Sequence, residues 1–278
     1  MSGSPLLIPP RPDVLMSIQD IMRSEEPDID AIAKLIKEDV SLYTILLSAV
    51  NSPWMGLAQP ATSIEQSIML MGLDRVYTLI QAAAVRNSFI DVKIPESFWT
   101  AAIDVAGVCS SLANRYTGID RNSAYSTGML HNAGIAIMSN EFPEFRKFMK
   151  EHGDLNADEL CVKERDTFDT DHFLQGAMMA KDWFLGDDVA LAIRYQPLAE
   201  KILTGKKKMK ETVTTQLAVL TLAKSISAEF RRYWTIDSDN EVMISSTEAA
   251  LDYLHINYSE FKEVKEDMLE GYIDKVSA

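Results

Sequence analysis

Apolar residues in this chain return every three to four positions almost from end to end, which is the period of an α-helix and not of a strand. Val14, Leu15, Ile18, Ile21 and Met22 form one such stripe, and Ile29, Ile32, Ala33 and Ile36 a second. Leu42, Ile45, Leu46, Ala49 and Val50 form a third. The punctuation is helical as well. Asp13 and Asp28 stand where N-caps are expected, Ser63-Ile64-Glu65-Gln66 and Asn156-Ala157-Asp158-Glu159 fit capping boxes, and Gly72 and Gly118 fit helix stops. Asn51-Ser52-Pro53 should close the third helix, because proline disfavours helix in the residue before it and donates no N–H. Asp74 should start a helix that runs to Phe89, and a long one should span Phe98 to Tyr116. The spacing further predicts single helices near 123–139, 141–151, 157–167, 171–185, 188–195 and 212–232, with one or two more across 246–277. No Asn-Gly or Asp-Gly turn joins alternating runs. The expected class is all-α, in two helical lobes with a boundary at Pro95-Glu96-Ser97.

Charge narrows the partners. Lys and Arg total 27 against 41 Asp and Glu, a net charge of −14 over 278 residues. Nucleic acid and anionic membrane surfaces both call for an excess of basic residues, so neither is an expected partner. Cys109 and Cys161 are too few for a disulfide scaffold and form no Cys-x-x-Cys pair. The first residues, Met1-Ser2-Gly3-Ser4-Pro5, lack a signal-peptide pattern, and no apolar run is long enough for a membrane span. A reduced, cytoplasmic protein is the expectation.

Two histidines carry the most information. His131 lies in Gly128-Met129-Leu130-His131-Asn132-Ala133-Gly134, and His172 in Asp171-His172-Phe173, each in a helical, apolar setting. Around them runs an ordered series of signatures: Pro9-Pro10-Arg11-Pro12; Ile36-Lys37-Glu38-Asp39-Val40-Ser41-Leu42; Ala49-Val50-Asn51-Ser52; and Thr62-Ser63-Ile64 through Ser67-Ile68 to Leu70-Met71-Gly72. Phe98-Trp99, Gly128 to His131, and Trp183 follow in the same order. Over residues 7–200 the chain resembles the HDOD family, a signalling-associated branch of the HD-domain metal phosphohydrolases.

The resemblance implies a two-lobed helical domain over 7–200: a helical lobe 7–95 and a degenerate HD-like bundle 96–200, with helices in 201–278 completing the second lobe. It also implies what an active HD enzyme would need, namely a divalent metal held by a histidine, a His-Asp pair and a later aspartate, with a coordination position open to water. By position, Ala101 replaces the first histidine and His131-Asn132 the His-Asp pair. Ile135-Ala136 stand where a lysine is common, and Tyr195-Gln196 where relatives carry His-His. Asn offers a neutral oxygen, a weaker ligand for a hard cation than carboxylate. Ala101, His131, Asn132, His172, Tyr195 and Gln196 are therefore read as vestigial HD-site positions. No catalytic residue, metal or cofactor is assigned, although Glu164, Asp169 and Asp171 lie near enough in sequence to supply an oxygen. The expected function is a non-catalytic regulatory module, bacterial by resemblance, that binds a protein partner in a signalling pathway. A divergent metal phosphohydrolase acting on a nucleotide is the alternative, as is a small-ligand sensor using the same cleft. A homo-oligomer is left open.

Other features are weaker. Asn51, Ser52 and Trp54 form a candidate interaction loop, against the plainer reading of helix termination with Trp54 in the core. Lys206-Lys207-Lys208-Met209-Lys210 is a basic cluster in an acidic chain, read as a solvated loop before a contact for an acidic partner. Arg231-Arg232-Tyr233-Trp234 stands at an expected helix end. Met69, Met71, Met129, Met138, Met178 and Met179 are expected to fill the core.

Overall fold

The computed structural model describes every residue except 1–5, 7, 52–54, 56, 58, 90, 91, 93, 154, 228, 229, 231–245, 277 and 278. Among the described residues there are helices and turns and no strand, so the chain is all-α. Its contacts divide it into two compact units, Pro9–Asp91 and the remainder, Met1–Ile8 with Val92–Ala278.

The unit Pro9–Asp91 holds α1 (Asp13–Met22), α2 (Ile29–Glu38), α3 (Val40–Val50), α4 (Ile64–Met71) and α5 (Leu73–Asn87). Leu15 and Ile18 of α1, Ile32 and Ile36 of α2, Leu42, Leu46 and Val50 of α3, and Val76, Leu79 and Ile80 of α5 are fully or nearly fully buried. Asp28 caps α2 by accepting from the Ala31 N–H at 2.9 Å. Asp13 does not cap α1; Pro12 holds the N-cap position and Asp13 is the first helical residue, where its charge favours the positive end of the helix. The capping box at Ser63 is altered. Ser63 accepts from Gln66 N–H, but the Gln66 side chain reaches one residue further back, to the N–H of Thr62 at 2.8 Å. Asp74 falls in the first turn of α5, whose N-cap is Gly72 at φ 82°. Two expected core positions lie outside: Ile29 is 41% exposed and Met69 78% exposed. Ile29 is the first residue of α2, at the exposed end of its stripe, and Met69 lies on the side of α4 turned away from Ile64, Ser67 and Ile68.

The larger unit begins with α6 (Glu96–Tyr116), which lies along α7 (Arg121–Leu130). After α7 come α8 (Ala133–Glu141), α9 (Phe145–His152), α10 (Ala157–Phe168), α11 (His172–Asp182) and α12 (Asp187–Tyr195). A 3-10 turn, Gln196–Leu198, leads to α13 (Ala199–Leu203), α14 (Glu211–Ile226), α15 (Thr247–Leu254) and α16 (Tyr258–Val276). Helix α14 packs against α6, α7, α12, α13 and α15 and so forms the centre of the unit. Trp183, Tyr125 and Phe145 are its largest fully buried side chains.

One expected helix, 123–139, is two. It breaks at His131-Asn132, where Asn132 leaves helical geometry at φ −117°, ψ 11°. The break redirects α8 onto α11, and the approach there is tight. A Cβ on Gly134 would stand 1.8 Å from the carbonyl oxygen of His172. Gly128 performs the same service between α7 and α6, where a Cβ would meet the Ala106 Cα at 2.6 Å. Asn156 precedes α10 as expected but makes no side-chain cap. Met129, Met138 and Met179 are buried, whereas Met71 and Met178 are only partly covered.

Candidate functional site: the His131–His172 region

His131 is the residue that closes α7, and it is 2% exposed. Its Nδ1 lies 2.6 Å from the carbonyl oxygen of Gly128. A carbonyl only accepts, so Nδ1 carries the proton and Nε2 of the neutral ring is a bare acceptor. That Nε2 is buried and has no hydrogen-bond partner among the described residues. Burial, then the nearby Lys224 ammonium, hold the imidazole well below its usual titration range, outweighing the Gly128 bond, with His172 adding to the depression.

His172 opens α11 and is equally buried. Glu164, fully buried on α10, takes its backbone N–H at 2.9 Å and its Nδ1–H at 2.6 and 2.8 Å. The carboxylate therefore spends both oxygens on one residue and fixes both the ring and the helix start. Asp171, also fully buried, caps α11 through Leu174 N–H at 2.8 Å and receives Arg165 Nε at 2.7 Å and Arg194 at 3.5 Å. Asp169 ends α10 in a left-handed conformation at φ 57°. Of these three acids, then, Glu164 and Asp171 are committed to holding helix ends.

Gln196 is the hub that joins the region to α14. Its Nε2 donates to the His131 carbonyl at 2.7 Å and to that of Ile193 at 3.2 Å, while its Oε1 accepts from Lys224 Nζ at 2.9 Å. Phe230 lies beside both: its ring centroid is 5.6 Å from that of His131 and 5.6 Å from Lys224 Nζ. Desolvation lowers the Lys224 ammonium to about 8, with the Cys109 thiol acting weakly the other way. Burial pushes the Cys109 thiol up, so it remains protonated. Asp104 of α6 accepts from the Ser227 hydroxyl at 2.5 Å, and Ser227 accepts in turn from Phe230 N–H at 3.1 Å.

The structure thus brings His131 and Gln196 into direct contact, with His172 near enough to bias His131. Ala101 is buried on α6, Asn132 is partly exposed, and Tyr195 is covered by the Lys207 ammonium 4.6 Å above its ring. Lys210, from the same basic cluster, pairs with Asp188 at 2.8 Å. Asn51 lies in the other unit, where its side-chain amide clamps both backbone groups of Ala61, at 2.7 and 2.9 Å. Ser52, Trp54 and Arg231 to Trp234 lie outside the described residues. Lys224, Phe230 and Asp104 are the residues that sequence reasoning missed. Asp104 had a signal, since it stands one helical turn after Ala101 and so shares its face.

The sequence family defined by the HDOD domain matches residues 8–198. The chain belongs to the HDOD family. A curated relative of this HDOD chain, an uncharacterised protein of Treponema pallidum (strain Nichols), is 28% identical over 193 residues. That stretch is 68% of this chain and only 37% of the relative's length. Among solved structures, a candidate phosphohydrolase of Shewanella amazonensis SB2B superposes with a TM-score of 0.70 at 21% identity, covering 96% of this chain and 93% of that one. An HDOD domain protein of unknown function from Geobacter sulfurreducens gives 0.65 at 20% identity, covering 97% and 92%. A candidate signal transduction protein of Marinobacter aquaeolei VT8 gives 0.68 at 19% identity, covering 97% of this chain and 58% of that one. At these identities the likeness is one of fold.

An HD-type centre would hold a divalent cation, and the groups of this HDOD chain do not fit one. No cluster of three or more His, Cys, Asp or Glu side chains able to hold a metal occurs among the described residues. His131 Nε2 has a lone pair to give, but the neighbouring charge is the Lys224 ammonium, which repels a cation. The nearest acid to His172, Glu164, is already spent on the imidazole's Nδ1–H and on a backbone N–H.

Proposed function

We propose that this chain is a non-catalytic regulatory module of the HDOD family, acting in signal transduction by binding a protein partner. One observation carries the reading: the polar groups around the two histidines are bonded inward, and the charge beside His131 is a lysine. A hydrolytic site needs anionic groups turned outward around an open metal position. Here Glu164 faces His172 Nδ1, Gln196 faces Lys224, and Ala101 offers no donor at all. Ala101, His131, Asn132, His172, Tyr195 and Gln196 are on this reading vestiges of an HD centre.

The proposed domain runs over 7–200, with lobes 7–95 and 96–200, and the helices of 201–278 complete the second lobe. The packing of α14 against α6, α7 and α12 supports that last assignment. No helix among the described residues is long and apolar enough to cross a membrane. That absence and the acidic composition favour a cytoplasmic setting, and the bacterial relatives favour a bacterial one. The loop from Asn51 through Ser52 and Trp54 is the proposed contact surface for a partner, its two ends tied by the Asn51–Ala61 clamp.

Purified full-length chain tests the reading in two ways. Affinity capture from lysate should return the same protein across growth conditions. Metal analysis and a phosphomonoester hydrolysis assay with added Mn²⁺ should show neither stoichiometric metal nor turnover. Bound Fe, Mn or Zn that is lost in His131→Ala, together with hydrolysis, would establish the enzyme instead.

A further inference from the structure

Lys201, Lys206, Lys207, Lys208 and Lys210 stand close together in a chain whose net charge is −14. Lys201 lies on α13 and the other four in the connection from α13 to α14. That connection is pinned in three ways. Gly205 takes the left-handed conformation at φ 72°, and Lys207 N–H bonds the Lys201 carbonyl at 2.7 Å, which folds the segment back on α13. The Lys207 ammonium lies 4.6 Å above the Tyr195 ring. Lys210 Nζ donates to both oxygens of Asp188, at 2.8 and 2.9 Å, and the Thr212 hydroxyl donates to the same carboxylate at 2.6 Å. Lys207 and Lys210 are thereby spent on the fold. Lys201, Lys206 and Lys208 are exposed, and their side chains meet no ion-pair or hydrogen-bond partner among the described residues; Glu200 and Glu211, the nearest acids in sequence, do not pair with them. Exposure alternates along the loop, with Lys206 and Lys208 open and Lys207 and Met209 partly covered, so a pair of ammoniums is turned to solvent.

We propose that the loop 204–210, together with Lys201, is a docking surface for an acidic segment of a partner protein. Charge complementarity selects the occupant. Ammoniums held together on a pinned backbone repel one another, and carboxylates placed among them turn that cost into attraction. The charge of the whole chain is strongly negative, so it disfavours an acidic partner away from this loop and gives the contact its orientation. A nucleic acid long enough to bind well would run past five lysines into that negative field, and the ring the loop touches, Tyr195, has Lys207 over its face instead of a base. An anionic membrane surface would meet the same field. The pinned backbone also lowers the ordering cost of association. This surface belongs to the larger unit, not to the unit that carries Asn51. It rests on the regulatory reading for the purpose of the contact but not for its chemistry.

The test uses the full chain and the fluorescence anisotropy of a labelled peptide in which Glu alternates with Ser, beside the same peptide with Gln in place of Glu. The double variant Lys206→Glu with Lys208→Glu reverses the open charges of the loop. The double variant Lys34→Glu with Lys163→Glu reverses two other exposed lysines and reaches the same net charge. The expected result is saturable binding of the Glu peptide alone, weakened by added salt, reduced about tenfold or more by the loop reversal and about twofold or less by the control reversal. All four positions are exposed, and thermal unfolding of each variant checks that the fold is kept. Equal loss in the two variants, or no binding to the wild type, would overturn the proposal. Tighter binding of an oligothymidylate of equal charge, or of phosphatidylserine vesicles, through Lys206 and Lys208 would overturn it in favour of a nucleic acid or a membrane. Self-association that only the loop reversal abolishes would overturn it in favour of a second copy of the chain. Failure of the peptide to bind leaves the regulatory reading standing, whereas phosphomonoester hydrolysis sinks the non-catalytic reading and leaves this surface standing.

Discussion

Gly134 shows how little freedom single residues have around His172. The missing Cβ would sit 1.8 Å from the His172 carbonyl oxygen and 2.9 Å from the Gly176 amide nitrogen, and both neighbours are backbone that cannot swing aside. Gly134→Ala should therefore force α8 off α11 and cost about 3 kcal/mol or more. Gly118, with nothing within 4 Å of the same position, is the control. Urea midpoints measure both, and a Gly134→Ala midpoint equal to wild type would refute the close approach. Glu164 makes the complementary case. It is fully buried and receives two donors of His172, so Glu164→Ala leaves a buried N–H and an imidazole proton without an acceptor. Losing charge-assisted bonds of this kind should cost about 2–4 kcal/mol in a denaturant titration, well above the loss from a surface acid such as Glu159. In the sequence Glu164 was visible only as an acid near His172. Its role was not, because a carboxylate facing a metal and one facing an imidazole look alike until the turn between α10 and α11 is built.

At the level of elements, periodicity was enough to place most of the helices, since a stripe repeating every 3.6 residues has one stable way to bury itself. The failures share a cause: the deciding contact was distant in sequence. The break at His131-Asn132 contains no proline, and its reason is the fit of Gly134 against α11. Lys224 falls inside the helix expected over 212–232, and nothing in the sequence singles it out; the helix ends at Ile226, which puts Lys224 in its last turn. Gln196, from the turn after α12, and the Phe230 ring lie against it. The end of α11 gives a test of element chemistry. Leu185 N–H bonds the Ala180 carbonyl and Phe184 N–H that of Lys181, each at 2.9 Å, which is a Schellman ending. Its left-handed position is taken by Phe184 at φ 56°, 73% exposed, where glycine is the unstrained choice. Phe184→Gly should stabilise the protein by about 0.5–1 kcal/mol, read as a rise in Tm, because relief of left-handed strain exceeds the little surface Phe184 buries. A drop in Tm would mean that the ring holds more than its exposure suggests.

For the molecule as a whole, the consequence of Lys224 is a stability that depends on alkaline pH in a defined sense. The folded state holds this ammonium at about 8 against 10.5 for an ordinary lysine, chiefly through desolvation. Below pH 8 both states are protonated and the fold bears the full cost of the withdrawn charge. Between 8 and 10.5 the unfolded chain binds more protons than the folded one, so this group makes the protein more stable as pH rises. The whole cost is on the order of 2–3 kcal/mol once partial exposure is allowed for. Other groups act in the opposite direction. Burial holds the Cys161 thiol up at about 12 and raises the Cys109 thiol as well, and it raises the phenols of Tyr77 and Tyr116. These acids ionise in the unfolded chain first, so they remove stability above about pH 9 for the thiols and 10 for the phenols. The Lys224 contribution is therefore read from a difference. Lys224→Met should be more stable than wild type at pH 7 by the amount above, and the gap should close as pH climbs from 8 towards 10.5. Guanidinium unfolding of both proteins across that range makes the comparison, and a gap that stays constant with pH would show that the lysine is not withdrawn from water. A gap that closes would mean that the fold retains a destabilising charge at neutral pH.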